Sequence, residues 1–350
     1  MKGAKLGALL LGVALFGVAC GNDSPLREGK PIQPNDPYPG IIYKGWQNVS
    51  KTFGNLPAYI QIYHRRSTPS GKLASIYLGV ADMRSATFSV STDIHWSSEA
   101  NGNGNESLYT LSEFYERNGK PALVINGGLF FSAKTPSGNI FYYSQSACYS
   151  GGKMLSHNQN YWSKNWADFW YPTLGVFYKD KGGQYHALWS YYNKDGNDYA
   201  YTECKQIDRS KPETNTPDAN YPTQGKVLNK GEAIEGIGGV SVLISNGQLK
   251  NTWHDELLDV SANTAQPRTA IGYDTQTNKM FFLVCEGRNE AMGIAGMTTA
   301  QEADLLLGVG CTEALNLDGG GSSCMLVNGK ETINPSDGHQ RKVINACFIK

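Results

Sequence analysis

Apolar and polar positions alternate with a period of two over residues 58–64, 73–80 and 86–90, which predicts three half-buried strands. Leu108, Leu111, Phe114 and Tyr115 recur at helical spacing instead, so a helix is expected over 108–117, stopped by Gly119. The continuous apolar run 122–125 reads as a buried strand that delivers Asn126-Gly127-Gly128 at its end. Between residues 132 and 235, Tyr, Trp, Asn, Gly and Lys crowd the sequence and blur any period. Strands are expected at 173–178 and 185–189, with much of the remainder as long aromatic-rich loops that shape a cleft.

The last third is clearer. A strand at 240–244 turns at Asn246-Gly247, and 268–273 with 279–285 reads as a hairpin. Thr299 and Glu302 have the spacing of a capping box, opening a helix whose Ala303, Leu306 and Leu307 face a core; Gly308 and Gly310 close it. Strands follow at 314–317, 324–327 and 343–349. This intermixing predicts an α+β, or mixed α/β, domain over 40–350: a mixed β-sheet core with a few flanking helices, and 40–120 as an N-terminal subregion.

The N-terminus stands apart from that domain. Lys2 and Lys5 precede an apolar and glycine run from Leu6 to Ala19, too short to span a bilayer, and Gly17-Val18-Ala19-Cys20 closes it. The segment reads as a secretory signal over 1–19, and its end resembles a bacterial lipobox, which implies acylation at Cys20 and a membrane reached through that anchor alone. Five prolines between Asn22 and Pro39 make 20–39 an extended tether. The expected location is the bacterial cell envelope.

Basic and acidic residues balance at 31 each, with no charge run, so nothing supplies the basic patch that a nucleic-acid partner requires. Twenty Tyr and 7 Trp beside 18% charged residues suit either sugar contact or a β-rich core. Setting Cys20 aside, six of the 7 cysteines remain. Disulfides are permitted, yet Cys285, Cys311, Cys324 and Cys347 sit among apolar neighbours and read as buried thiols. No HExxH or Gly-x-Ser-x-Gly pattern occurs. No cofactor is expected, and a bound divalent metal is left open.

The strongest candidate for chemistry is Asn316-Leu317-Asp318-Gly319-Gly320-Gly321-Ser322-Ser323. Three successive glycines are entropically costly and make sense where backbone must turn tightly or a ligand must come close. Their amides could form an anion nest, with Ser322 and Ser323 adding donors and Asp318 a carboxylate; a strained turn explains the same residues equally well. Arginine forks suit phosphate, which makes Arg268, Arg288 and Arg341 candidates. Arg268 stands out because it lies among apolar residues, where an unpaired charge is costly.

Taken in order, several segments resemble the motifs of the phosphodiester glycosidase family. They are Asn126-Gly127-Gly128-Leu129-Phe130-Phe131, Gly239-Val240 through Asn246-Gly247, Arg268-Thr269-Ala270-Ile271-Gly272, Glu286-Gly287-Arg288, Gly296-Met297-Thr298 with the helix to Leu307, Asn316 to Ser323, and Arg341. The resemblance covers 122–349 and is densest after Arg268. Gly127 stands where the family usually has alanine, and Glu286 where it usually has aspartate.

The resemblance implies hydrolysis of a glycosidic bond whose leaving group is a phosphate monoester, with a carbohydrate or phosphosugar as substrate. It implies Asp318 and Glu286 as working carboxylates and Arg268 as a phosphate or substrate clamp. Ser322, Ser323 and the amides of Gly319, Gly320 and Gly321 would assist, with Arg288 and Arg341 in the same role. Asn126, Gly127 and Gly128 would contact substrate. The rivals are a non-catalytic carbohydrate-binding surface lipoprotein and an enzyme acting on another phosphosugar polymer.

Overall fold

A computed structural model describes residues 36–42, 44–67 and 71–350; the signal segment, Cys20 and most of the expected tether lie outside the described residues. Four short α-helices are present among them, the longest Thr299–Gly308, against strands that take 42% of the chain. The strand pairings are antiparallel. The expected α+β or mixed α/β class is therefore overturned: this is a predominantly antiparallel β protein.

The error lies chiefly in the middle of the chain. A seven-stranded sheet runs through Lys153–Ser156, Cys148–Ser150, Ala233–Gly239, Leu174–Asp180, Tyr185–Tyr192, Asp198–Tyr201 and Lys226–Val227; strands were expected at 173–178 and 185–189, and much of the rest as loops. Asp198–Tyr201, which was not expected, is buried at every position, so no alternation marks that strand. An eight-stranded sheet contains Ile60–Ser67, Ala74–Asp82, Lys279–Glu286, Arg268–Asp274, Glu313–Asn316 and Val242–Ser245. Ala74–Asp82 pairs directly with Lys279–Glu286 of the hairpin of the last third, and Ile60–Ser67 pairs in turn with Ala74–Asp82, so these two strands belong to the same sheet as that hairpin. A five-stranded sheet holds Leu123–Asn126, Asn345–Ile349, Met325–Val327 and Phe88–Thr92.

Period two explains how one strand serves two cores. Met280, Phe282 and Val284 join Ile62, Phe177, Ile237, Leu123 and Cys347 in a core shared by the three large sheets. Phe281, Leu283 and Cys285 face the other way, onto a second core with Ala303 and Leu306 of the helix Thr299–Gly308. Each such side chain contributes about 1.5–3 kcal/mol on burial. The parity of Arg268–Asp274 follows the same rule: Ala270 lies in the helix-side core and Ile271 and Tyr273 in the shared one. Arg268 thus falls on the helix side.

The helix boundaries shift slightly from expectation. Thr298 with Gln301, one residue earlier than the expected pair, forms the capping box. Leu111–Arg117 begins after Thr110, whose own box with Glu113 sets the start. Cys148, Cys285, Cys311, Cys324 and Cys347 are buried free thiols, and Cys204 is half-buried and free. Among the described residues, no helix is long and apolar enough to cross a membrane.

Candidate active site

The site forms where the three large sheets end. Leu123–Asn126 of the five-stranded sheet runs out at Gly127, whose carbonyl accepts the amide of Asp318 at 3.0 Å. Asp318 follows Glu313–Asn316 of the eight-stranded sheet, and the Asn316 carbonyl accepts the Val240 amide at 3.0 Å, just beyond the seven-stranded sheet. Two buried strand ends and a third are thereby stitched through backbone, leaving the Asp318 side chain at the floor of a pocket of about 170 Å³.

Asp318 is the carboxylate the sequence singled out, and the pocket is built around it. Burial pushes its carboxyl up to about 6, while the Ser322 hydroxyl, the Arg341 charge and the Gly319 amide pull it part of the way back. Arg268, Arg288, Arg341 and the three glycines also border the pocket.

Each glycine has its own steric reason. A Cβ on Gly319 would stand 2.9 Å from the Pro267 carbonyl. Gly320 has φ +61, and a Cβ there would meet the Arg288 guanidinium at 3.1 Å. On Gly321 a Cβ would lie 2.0 Å from Arg341 Nη2. The run therefore lets two guanidinium groups come close to the loop backbone. The amides of Gly320, Ser322 and Ser323 donate to the carbonyls of Pro267, Gly319 and Gly320, so they do not form an anion nest.

The arginines divide by what holds them. Arg268 is buried, and it donates to four carbonyls: Nε to Met297 at 3.0 Å, Nη1 to Val260 at 2.7 Å, and Nη2 to Ser261 at 2.7 Å and Thr264 at 3.1 Å. It pins the 260–264 segment as the pocket wall, with most of its donors spent on backbone. Arg288 Nε donates to Gln266 Oε1 at 2.6 Å, which leaves its terminal nitrogens over Gly320. Arg341 binds the Asp337 carboxylate through Nε and Nη2, both at 2.8 Å, and reaches Ser322 Oγ with Nη1 at 3.5 Å.

Other expected site residues stand behind the pocket. Asn126 is fully buried: its Nδ2 donates to the Asp318 carbonyl at 2.7 Å, and its Oδ1 accepts from Thr269 Oγ1 at 2.8 Å and the Cys324 amide at 3.2 Å. Gly127 and Gly128 are packing positions, since a Cβ on them would meet Asn345 Oδ1 at 2.1 Å and Ser146 Cβ at 2.4 Å. Glu286 is absent from the lining. Its carboxylate accepts Asn289 Nδ2 at 2.6 Å and Asn334 Nδ2 at 3.1 Å, tying two loops together. Ser323 is buried and its hydroxyl has no hydrogen-bond partner among the described residues.

Asp259 supplies the second carboxylate of the pocket, joined by Leu129 and Gln266. Sequence reasoning missed them. Asp259 caps its own turn by accepting the Ser261 amide at 2.8 Å, and an Asx turn carries no mark of the cavity it borders. Among the described residues, no group of three or more His, Cys, Asp or Glu side chains is placed to hold a metal ion.

The phosphodiester glycosidase family model matches residues 119–350, the part of the chain that builds most of this pocket. The chain belongs to the phosphodiester glycosidase family. Within that family, a stretch of 128 residues is 31% identical to the human N-acetylglucosamine-1-phosphodiester alpha-N-acetylglucosaminidase, covering 33% of this chain and 24% of that enzyme. Another, of 98 residues, is 36% identical to the uncharacterized SPbeta prophage-derived protein YomE of Bacillus subtilis, covering 28% of this chain and 14% of that protein. The chain thus aligns with only a minor part of either curated relative. In three dimensions it is similar to the catalytic domain of the zebrafish N-acetylglucosamine-1-phosphodiester alpha-N-acetylglucosaminidase, with a TM-score of 0.53 at 18% identity over 87% of each chain. A hypothetical protein from Synechocystis superposes with a TM-score of 0.52 at 16% identity, over 84% of this chain and 62% of that one. Both are likenesses of fold.

For a family member of this kind, the pocket combines two properties. It offers cationic groups for an anionic ligand, and a carboxylate whose protonation changes just below neutrality.

Proposed function

We propose that the protein hydrolyses the glycosidic bond of a sugar-1-phosphate diester, releasing free sugar and a phosphate monoester. The observation that carries this reading is Asp318, raised to about 6 at the floor of a pocket walled by Arg288 and Arg341. The bond from the anomeric carbon to the phosphate oxygen breaks, and its electron pair leaves with the phosphate. That leaving group already disperses negative charge, so the reaction needs little help from a general acid. Arg288, with Arg341 beside it, holds the phosphate oxygens. The Asp318 carboxylate balances the positive charge that develops on the sugar ring and takes a proton from the attacking water. Arg268 acts at one remove, by fixing the wall, and Asn126 by fixing the Asp318 backbone.

Export and acylation at Cys20 would place this chemistry at the bacterial envelope, on envelope or environmental glycans. Incubating the protein with UDP-sugars and with sugar-1-phosphate diesters tests the reading. Free reducing sugar should appear in equal amount with UDP from the former and with the phosphate monoester from the latter. Binding without release would leave the non-catalytic lipoprotein as the better account.

A further inference from the structure

We propose that a second cleft, separate from the Asp318 pocket, binds an uncharged stretch of an oligosaccharide. Its volume is about 510 Å³, and its lining contains no Asp, Glu, Lys or Arg. His157 is its one ionisable ring of near-neutral type, and burial lowers the pKa of that imidazole, so the cleft is uncharged at neutral pH. A ligand carrying charge would find no partner there.

The floor is the four-stranded sheet of His95–Ser97, Gly102–Asn105, Ile140–Ser144 and Phe130–Lys134. Phe131 and Tyr143 stand opposite each other in register, their rings stacked 10° from parallel at 5.0 Å. Gly102 leaves room for this: a Cβ there would meet the Tyr143 ring at 3.0 Å. The far wall is the hairpin of Trp162–Lys164 and Asp168–Trp170. At its tip Trp166 adopts φ +56, a conformation that bulky residues rarely take, and its indole is 78% exposed. Trp96, on the floor sheet, is 62% exposed.

Leaving so many large aromatic faces in water is costly unless something covers them, and clustered exposed apolar surface in a concavity marks a binding groove. Flat rings match the apolar faces of pyranose rings. Between them stand neutral hydrogen-bonding groups, Asn101, Asn103, Gln145, Gln159 and Asn160, suited to sugar hydroxyls.

One backbone hydrogen bond links the lining of this cleft to that of the Asp318 pocket. Leu129 borders that pocket, its carbonyl accepts the Gln145 amide at 2.9 Å, and Gln145 and Phe131 border the cleft. The proposal rests on the reading of the Asp318 pocket only for its biological use; binding of a neutral glycan stands or falls alone.

Titrating the full chain with neutral hexasaccharides of β-1,4-glucose, α-1,4-glucose, β-1,4-xylose and β-1,4-N-acetylglucosamine, followed by tryptophan fluorescence, tests it. At least one should bind saturably with a Kd of about 1 mM or tighter, and inorganic phosphate should not displace it. Phe131→Ala and Trp166→Ala, both at exposed positions, should each weaken that binding about tenfold or more, and Trp96→Ala serves as the check should either variant misfold. The proposal is overturned if none of these sugars binds, if binding survives all three substitutions, or if inorganic phosphate displaces the sugar. None of these outcomes bears on hydrolysis, which the phosphodiester assay reads separately.

Discussion

The side-chain amide of Asn126 donates to the backbone carbonyl of Asp318 across 2.7 Å, joining residues 192 positions apart in sequence. The same side chain accepts from Thr269 and Cys324, so one buried asparagine ties the end of a strand in one sheet to the glycine-rich loop of another. Replacing it with alanine leaves several buried groups unpaired at once. Asn126→Ala should lose about 3 kcal/mol or more of stability. Its kcat should fall more than its KM rises, because Asp318 loses its placement while the arginines stay. Unchanged kcat in a protein with a lowered melting temperature would confine Asn126 to folding.

Gly321 and Arg341 should behave as one unit. A methyl group at Gly321 would occupy the space of Arg341 Nη2 and of Asp337 Oδ2, 2.4 Å away, so the guanidinium must leave. Gly321→Ala and Arg341→Ala are expected to raise KM for a sugar-1-phosphate diester by a similar factor, roughly tenfold. The double variant should be scarcely worse than either. Additive losses would show that the glycine serves some other purpose.

The pH dependence of kcat/KM should show an acid limb near pH 6, since the proposed reaction uses Asp318 as a carboxylate and burial raises its pKa to about 6. Arg341 opposes that rise, so removing its charge must push the pKa higher. In Arg341→Gln the limb should move to higher pH. A limb that stays in place, or moves down, would detach the titration from Asp318.

Stability should fall as pH rises toward the mildly alkaline range. Burial raises Glu256 to about 7 and Glu302 to about 8, and the Arg268 charge only partly offsets the rise at Glu302. In the unfolded chain both lose their protons near 4.5. Between those values the folded state holds more protons, so each pH unit removes up to about 1.4 kcal/mol per group, until the folded pKa is passed. A melting temperature that declines from pH 5 to about 8 is expected. Glu302→Gln should flatten part of that decline. A slope identical to the unsubstituted protein would show that Glu302 does not titrate there.

Asp318 was legible in the sequence because three glycines in a row are hard to explain without a tight approach, and the arginines because guanidinium suits phosphate. Their separate jobs were not. Arg268 stood out as a charge among apolar residues, yet nothing in its neighbours reveals that carbonyls from 260–264 and Met297 fold over it. Glu286 matched a motif position but is turned toward Asn289 and Asn334, while Asp259, with no motif, reaches the pocket. The seven-stranded sheet was legible only at 173–178 and 185–189. Asp198–Tyr201 is buried at every position, which erases the alternation that identifies a strand from sequence, and Cys148–Ser150 and Lys153–Ser156 are too short to show a period. The hairpin of Arg268–Asp274 and Lys279–Glu286 kept its signal because a turn with Asn278 at φ +55 separates a mostly apolar strand from the continuous apolar run 280–285.

The most direct test of the account is the turnover of a sugar-1-phosphate diester by Asp318→Asn, measured beside its thermal unfolding. The amide keeps the shape of the side chain and removes the charge, so the variant should melt at or above the temperature of the unsubstituted protein. Its kcat should fall by about a thousandfold. Turnover equal to that of the unsubstituted protein, in a variant with the same melting transition, would contradict the role given to Asp318 and with it the proposed reaction.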